Sequence, residues 1–269
     1  MVDYSNPVAG IAGGYTGNSL AVEATIVGLL SCALFGVLEL MLAIFSTFHV
    51  YRGLYFWSLL VSAGLGVLPQ SLGLLLKYFE LAPIAAPVTL STAGWAIMVT
   101  GQSLVLYSRL HLVVQNRLVL RLVLGMIVFD ALVLQIPQIV FSYGAVFVAS
   151  HGFLYAYNIW AKVQLTGFFL QEVIISTVFI VQATRLLQAY PRKSVRRTSL
   201  RYQLLAINSA IIVMDIALLV LEYLDLFILQ TVLKTFFYMV KLKLEFAVLS
   251  RLVSMVNHHD PLTLTDSGF

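Results

Sequence analysis

Long, mostly apolar stretches recur along this chain, from Ala21 almost to Val256. A helix of about 20 apolar residues is enough to cross the roughly 30 Å hydrocarbon core of a bilayer. Only 10% of the residues are charged, whereas about 25% are charged in soluble globular proteins. The sequence therefore predicts a multi-span membrane protein embedded in a lipid bilayer. It excludes a soluble enzyme, a secreted disulfide scaffold and a nucleic-acid-binding module.

Seven apolar segments are separated by short breaks that are rich in proline or polar residues. They are Leu20–Phe48, Leu54–Tyr78, Val88–Val113, Leu118–Phe147, Asn158–Gln188, Tyr202–Tyr223 and Phe227–Val256. Clustered polar residues cannot lie in hydrocarbon, and a proline moves the residue before it away from helical geometry. The sequence thus predicts an all-α, seven-transmembrane-helix bundle. Residues 1–256 would form one membrane domain and residues 257–269 a short cytoplasmic tail.

The basic residues outside the middle of the spans fall mainly on one side of the predicted membrane. Eleven lie on that side: Arg52, Arg109, Arg117, Arg121, Arg185, Arg192, Lys193, Arg196, Arg197, Arg201 and Arg251. The other side has only Lys77 and Lys162. Lys and Arg accumulate in short cytoplasmic loops. We therefore expect an outside or lumenal N-terminus and a cytoplasmic C-terminus, and the net charge of +4 is mainly a topology signal.

The motifs of several enzyme classes are missing. Cys32 is the only cysteine, which leaves no intramolecular disulfide and no cysteine-based metal cluster, and the histidines have no metal-ligand spacing. The chain has no P-loop, Rossmann glycine pattern, H-E-x-x-H or G-x-S-x-G sequence. It also has no Asp-Asp-x-x-Asp motif, so a magnesium-pyrophosphate enzyme is disfavoured. We expect no metal site.

Charged residues lie inside the predicted spans, where a bilayer penalises them. They are Glu39, Asp130, Glu172, Asp215, Glu245, Lys234, Lys241 and Lys243. Isolated charges at about 2.5–3.5 kcal/mol each would cost roughly 20 kcal/mol in total. They must therefore be paired, neutral, displaced toward the interface, or turned toward a polar interior.

Helical spacing favours a polar interior, because five segments each carry polar residues on one face. The stripes are Thr25, Cys32, Glu39 and Ser46 in the first segment; Ser91, Trp95, Met98, Gln102 and Arg109 in the third; Gln164, Gln171 and Gln182 in the fifth; Asn208, Asp215 and Glu222 in the sixth; and Gln230, Lys234, Tyr238, Lys241 and Glu245 in the seventh. We expect these stripes to face one another in the bundle. This arrangement predicts a central cavity lined by carboxylates and amides.

Each charged group also has a structural interpretation. Lys241 and Glu245 are spaced as an i, i+4 pair, which favours a structural role. Glu222 lies at the outer boundary and is expected to be solvated, as is Asp225. For Glu39, Asp130, Glu172 and Asp215, a functional role and structural pairing, for instance to Lys234, both stay open.

A carboxylic acid in an apolar pocket keeps its proton because desolvation disfavours the anion, and it can then act as a general acid. Aromatic faces nearby can stabilise a developing cation. Together they are the minimal apparatus for protonating an epoxide or alkene and guiding the resulting carbocation. The same groups also suit a proton relay or the polar core of a receptor.

Four segments resemble those of a fungal seven-helix family of membrane-bound terpene cyclases, which act in the ascochlorin, ascofuranone and macrophorin pathways. These segments are Leu104–Val113, Gln171–Ser176, Asp215–Tyr223 and Lys241–Leu249, and the resemblance spans roughly residues 39–253. It implies a cofactor-free isomerase in the endoplasmic reticulum membrane. Its substrate would be the farnesyl chain, or its terminal epoxide, of a prenylated aromatic meroterpenoid.

Two functions follow from these observations. In the enzyme, Glu39, Asp130, Glu172 or Asp215 protonates the substrate, and the predicted binding residues are Trp95, Gln102, Gln171, Asn208, Lys234 and Tyr238. The alternative is a fungal seven-helix receptor or sensor without catalytic activity, which Arg109 at the cytoplasmic end of the third segment favours. A retinal-binding receptor would need Lys234 or Lys241 as its Schiff-base lysine. The resemblance favours the cyclase.

Overall fold

The computed structural model describes residues 19–47, 53–114, 116–148, 151–189 and 195–257. Across these ranges the chain forms seven helical segments and no β-strand. They are α1 (Leu20–Thr47), α2 (Leu54–Tyr78), α3 (Ala85–Val113), α4 (Arg117–Val148), α5 (His151–Ala189), α6 (Val195–Tyr223) and α7 (Phe227–Asn257). The all-α prediction is confirmed for this part of the chain. The rest of the predicted tail lies outside the described residues.

Five of these segments are long and apolar enough to cross a membrane. They are α1, α2, α4, residues His151–Arg185 of α5 and residues Tyr202–Tyr223 of α6. The other two helices, α3 and α7, each carry one of the polar stripes of the sequence. These polar side chains lower the mean hydropathy of both helices. The helices thus have the lengths and composition of a membrane protein.

Three helices begin three or more residues earlier than their apolar segments. α5 begins at His151 and α6 at Val195, so the breaks predicted at 150–152 and 191–201 extend too far into these helices. Polar residues exclude a segment from hydrocarbon but do not stop a helix, because the helical backbone satisfies its own hydrogen bonds. α3 begins at Ala85 and accepts Pro87 in its first turn, where the missing N–H has no intrahelical partner to lose.

Two helices contain π-helical turns close to a proline. In α2 the turn covers Ser62–Val67, just before Pro69, and in α4 one covers Ala131–Gln135, just before Pro137. Proline removes a backbone donor, and a wider turn is one way for the helix to accommodate that loss. The α4 turn directs Gln135 toward α3, where its amide donates to the carbonyl oxygen of Ala96 at 3.3 Å.

The seven segments close into a ring. Each packs against its neighbour in the chain, α7 also packs against α1, and α3 additionally contacts α5 and α7. The backbones of α2 and α3 approach each other closely, because a Cβ added to Gly94 would lie 2.5 Å from the backbone nitrogen of Gln70. Small residues let helix backbones approach this closely. α3 is thereby packed directly against the backbone of α2.

Candidate functional site

An open cavity lies at the end of the bundle where α2, α4 and α6 end and α3, α5 and α7 begin. Its void space is about 770 Å³ with the open mouth included, so the molecule that it can enclose is smaller than this figure. Four glutamines from four helices line it: Gln70 on α2, Gln138 on α4, Gln164 on α5 and Gln230 on α7. We call it the amide cavity.

The amides of this cavity are buried and incompletely paired. All four glutamines are less than 9% exposed. Within the described residues, Gln70 Oε1 and Gln230 Nε2 have no hydrogen-bond partner. A buried amide atom without a partner costs about 1–3 kcal/mol. The cavity therefore offers hydrogen-bonding groups that a bound molecule can satisfy.

Charged side chains from three helices complete the wall: Lys77 on α2, Glu222 on α6 and Lys234 on α7. The ammonium of Lys77 lies 5.8 Å from the ring centroid of Phe227. Among the ion pairs of the described residues, none joins the ammonium of Lys234 to a carboxylate within 4.0 Å. Two amines and one carboxylate thus belong to the wall of the cavity.

Aromatic side chains form the remaining walls. Tyr78, Trp95, Tyr157 and Phe227 all line the cavity. The rings of Tyr157 and Phe227 meet edge to face with their centroids 5.9 Å apart. A cavity with aromatic walls and a few converging polar groups has the usual composition of a small-molecule binding site.

A second polar region lies deeper in the bundle. Lys241 on α7 contacts two carboxylates, at 2.9 Å from Glu172 Oε2 on α5 and in direct contact with Asp215 on α6. Arg109 on α3 lies 2.5 Å from Glu245 on α7. The side chains of all five are at most 9% exposed. We call these five residues the buried charge cluster, and it joins α3, α5, α6 and α7.

Uncharged groups hold Arg109 in this cluster. Its Nη2 donates to Asn208 Oδ1 on α6 at 3.2 Å. Its guanidinium carbon lies 4.0 Å from the ring centroid of Phe179 on α5, within the range of a cation–π contact. Arg109 is thus fixed by three different helices, and its orientation depends on how they pack.

Residue spacing on α7 connects the cavity to the cluster. Lys234 lines the cavity, Tyr238 follows four residues later, and Lys241 three residues after that. Residues at these spacings share one face of a helix. The ammonium of Lys241 lies 4.9 Å from the ring centroid of Tyr238. Tyr238 therefore lies between the two lysines.

The chain matches a protein-family model described as a domain of unknown function (DUF7703) over residues 15–260. The chain belongs to the DUF7703 family. No curated protein and no solved structure matches it. The description of the family assigns no activity, so the geometry of the DUF7703 chain itself is the basis for a functional proposal.

The four acids predicted as proton donors lie in three different places. Glu172 and Asp215 come together around Lys241 in the buried charge cluster. Glu39 lies on the outer surface of α1, 2.5 Å from the ammonium of Lys243, with its side chain 60% exposed. Asp130 lies half-buried at the end of the first part of α4. None of the four lines the amide cavity; of the carboxylates and amides expected to line a cavity, this one has the four glutamines and the carboxylate of Glu222.

The predicted binding residues divide between the two regions. Trp95 and Lys234 line the amide cavity. Asn208 and Tyr238 contact the buried charge cluster. Gln171 donates to Ser103 Oγ at 2.7 Å, and Gln102 is buried without a hydrogen-bond partner for its amide within the described chain.

One pairing expected from the sequence is wrong, and one that the sequence leaves open has a different partner from the example given. Lys241 and Glu245 do not pair with each other, because each meets an opposite charge on another helix. The structural pairing that the sequence leaves open for Glu172 and Asp215 is with Lys241, seven residues further along α7 than Lys234. Lys241 is therefore fully engaged, and Lys234 is the lysine that a carbonyl ligand such as retinal could reach.

Several cavity residues differ from the sequence-based expectations. Glu222 is expected to be solvated but lines the cavity, while Asp225 is exposed as expected, with its carboxylate 2.8 Å from Lys162. Gln70 and Gln138 lie outside the five polar stripes of the sequence. A signal for Gln70 was present in the sequence, because Gln70 and Lys77 are seven residues apart and so share one face of α2. In the described chain no group of three His, Cys, Asp or Glu side chains is arranged to hold a metal ion.

Proposed function

We propose that the chain crosses a membrane seven times, with a non-cytoplasmic N-terminus and a cytoplasmic C-terminus. Five helices are apolar enough to span a bilayer. The other two, α3 and α7, pack against these five in the same ring. The excess of Lys and Arg at the opposite end supports a non-cytoplasmic position for the amide cavity, where the Lys and Arg residues include only Lys77, Lys162 and Lys234 among those described.

We infer that the protein is a receptor or sensor for a small molecule. The observation that carries this proposal is the separation of the two polar regions. The amide cavity has groups for binding, whereas Glu172, Asp215 and Glu245 are packed against cations away from it. A general acid has to lie within about 3 Å of the atom that it protonates. Acids in this position are better suited to holding helices in one arrangement.

The coupling between the two regions follows α7. A ligand in contact with Lys234 and Gln230 shifts the same helix that carries Lys241 and Glu245. The carboxylates that face Lys241 belong to α5 and α6, so a shift of α7 alters the packing of those helices. Ion pairs between helices have discrete arrangements, and a ligand that favours one of them changes its population.

A reagent attached covalently to a cysteine in the cavity wall takes the place of a ligand and tests this function. We expect Ser91→Cys, in a Cys32→Ser background, to react with impermeant cationic and anionic methanethiosulfonates only from the non-cytoplasmic side, because Ser91 lines the cavity. Amide hydrogen exchange of the purified adduct should then change at the cytoplasmic ends of α3 and α6, around His111 and Tyr202. Mass spectrometry of deuterium uptake measures this change.

Thr89→Cys is the matched control, because it is an exposed residue of the same helix outside the cavity lining. Its adduct should leave the cytoplasmic ends unchanged. Failure of both reagents to reach Ser91→Cys would contradict the cavity. Exchange that changes only around the cavity would contradict the receptor.

A second candidate function is the terpene cyclase, and a specific observation favours it. Glu222 lies in the same cavity as Tyr78, Trp95 and Tyr157, which puts one carboxyl group among aromatic faces. In this candidate, Glu222 protonates the epoxide or terminal alkene of a farnesylated aromatic substrate, and the rings stabilise the carbocation. The cyclised cation then loses a proton, so the product is an isomer of the substrate. The enzyme would need no cofactor and would act in the endoplasmic reticulum membrane.

Incubation of membranes with an epoxyfarnesyl phenol tests the cyclase. We expect a product isomer of unchanged mass, detected by chromatography and mass spectrometry, and its loss in Glu222→Gln. Glu39→Gln is the control, since Glu39 lies on the outer surface and should leave the product unchanged. The absence of an isomer excludes the cyclase. Loss in Asp130→Asn, Glu172→Gln or Asp215→Asn alone would favour one of those acids over Glu222.

A further inference from the structure

One amine in the wall of the amide cavity differs from the other lysines. Lys234 is half-buried and lines the cavity, and within the described chain no carboxylate pairs with it at 4.0 Å or less. The other four described lysines all have close partners: Lys77 with the rings of Tyr78 and Phe227, Lys162 with Asp225, Lys241 with Glu172 and Asp215, and Lys243 with Glu39. The amine of Lys234 is therefore the one that a ligand in the cavity can engage.

The charges of the cavity favour an uncharged ligand. Glu222 is the carboxylate of the described lining, and it interacts electrostatically with Lys234. These two opposite charges balance each other, and Lys77 has contacts of its own with aromatic rings. A ligand that brought a further charge into the cavity would bury it unpaired, which costs free energy.

A hydrogen-bond donor lies one helical turn away from this amine. Gln230 precedes Lys234 by four residues on α7, and residues at this spacing are neighbours on a helix. Gln230 is 2% exposed, and its Nε2 has no acceptor in the described chain. A carbonyl oxygen accepts hydrogen bonds and cannot donate them. A carbonyl compound can therefore satisfy this amide and at the same time place its electrophilic carbon close to the amine.

The walls determine the shape of the ligand's apolar part. Tyr78, Trp95, Tyr157 and Phe227 all line the cavity. Aromatic rings pair favourably with other rings in offset or edge-to-face arrangements. A flat aromatic ring therefore fits these walls.

We propose that the amide cavity binds an uncharged aromatic aldehyde and that Lys234 holds it covalently as a Schiff base. Gln230 donates to the carbonyl oxygen, and the ring packs against the aromatic walls. This inference rests on the proposed function only in requiring that the cavity admits a ligand. It adds the chemical class of the ligand and the atom to which it is attached.

The covalent step leaves the charge of the cavity unchanged. The nitrogen of Lys234 attacks the carbonyl carbon with its lone pair, and the carbonyl oxygen leaves as water with two protons of the former ammonium. The aldehyde R–CHO and the ammonium thus give the iminium R–CH=NH⁺ on the lysine and one molecule of water. The iminium keeps the single positive charge, so Glu222 balances it as before.

Reductive trapping tests this inference on the full chain in lipid nanodiscs. Benzaldehyde is the probe, sodium cyanoborohydride reduces the iminium to a stable amine, and peptide mass spectrometry locates the added benzyl group. A bound aldehyde is held against the amine, so we expect Lys234 to be labelled at least about tenfold faster than Lys162. The side chain of Lys162 is 29% exposed outside the cavity lining, so exposure alone gives Lys234 no advantage.

Three comparisons assign the reaction to the cavity. Benzyl alcohol has the same shape but no carbonyl group, and it should slow the labelling of Lys234 and not that of Lys162. 4-Carboxybenzaldehyde carries a negative charge and should label Lys234 more slowly than benzaldehyde does. Gln230→Leu should slow the labelling of Lys234. Gln182→Leu is the matched control, because Gln182 lies on α5 outside the lining.

Labelling of Lys234 no faster than that of Lys162 would overturn this inference. So would labelling that benzyl alcohol, the added carboxylate or Gln230→Leu leaves unchanged, and the first two of these comparisons need no variant that has to fold. Failure of the proposed function would appear instead as an unreactive Ser91→Cys or as unchanged hydrogen exchange at the cytoplasmic ends of the helices. Neither of those measurements depends on the amine of Lys234.

Discussion

We expect Lys241→Met to lower the free energy of unfolding by about 3–5 kcal/mol, because removing one partner of a buried ion pair leaves an uncompensated charge. Here two carboxylates, those of Glu172 and Asp215, lose their cation together. Their side chains are 9% exposed, so water cannot replace the ammonium. Thermal unfolding of the purified protein in detergent, followed by helical circular dichroism, measures the loss.

Two further variants separate the loss of charge from the loss of packing. Lys162→Met removes a lysine from the partly exposed pair with Asp225 and should cost no more than about 1 kcal/mol. The triple variant Lys241→Met, Glu172→Gln, Asp215→Asn should recover most of the stability, because a neutral set of similar volume needs no counter-charge. If Lys241→Met unfolds at the same temperature as the unaltered chain, the buried charge cluster does not hold the helices together.

We expect Gly94→Ala to destabilise the bundle by about 1–3 kcal/mol, in the range of an overpacked core. The new Cβ would lie 2.5 Å from the nitrogen of Gln70 and 2.9 Å from the carbonyl oxygen of Gly66. Both are backbone atoms, so no side-chain rotation relieves the clash and α2 has to move away from α3. Thermal unfolding in detergent again measures the effect.

Gly125→Ala on α4 is the matched control, because nothing lies within 4 Å of its added Cβ. It should be neutral or slightly stabilising, since alanine favours a helix over glycine by about 1 kcal/mol. The Gly94 variant should also weaken ligand binding in the amide cavity, because Gln70 belongs to the displaced helix. Equal stability of the two variants would contradict the close contact between α2 and α3.

The sequence predicted the helices well because hydropathy and spacing are local properties. The seven apolar segments correspond to α1 to α7, and the polar faces of the third, fifth, sixth and seventh segments do turn inward, as Gln102, Gln171, Asn208 and Gln230 are all buried. The ends of the helices were less predictable. His151 and Val195 begin helices because a helix can continue beyond the hydrocarbon, where hydropathy is no longer informative.

Pairing between helices could not be predicted from a single sequence. Lys241 and Glu245 have i, i+4 spacing, yet both are buried between helices where an opposite charge lies closer. Which charge that is depends on the depth and rotation of α3, α5 and α6, and these follow from packing. The packing has its own local signal, because Gly66 and Gly73 on α2 and Gly94 and Gly101 on α3 are each seven residues apart.

The position of Lys241 and Glu245 on α7 ties the assembly of the core to the order of synthesis. Arg109, Glu172 and Asp215 lie on helices that are made earlier, and their ion-pair partners in the folded protein both belong to α7. A chain that lacks α7 therefore lacks these partners and cannot form the buried charge cluster. The last helix to be made supplies both partners and also closes the ring through its contact with α1.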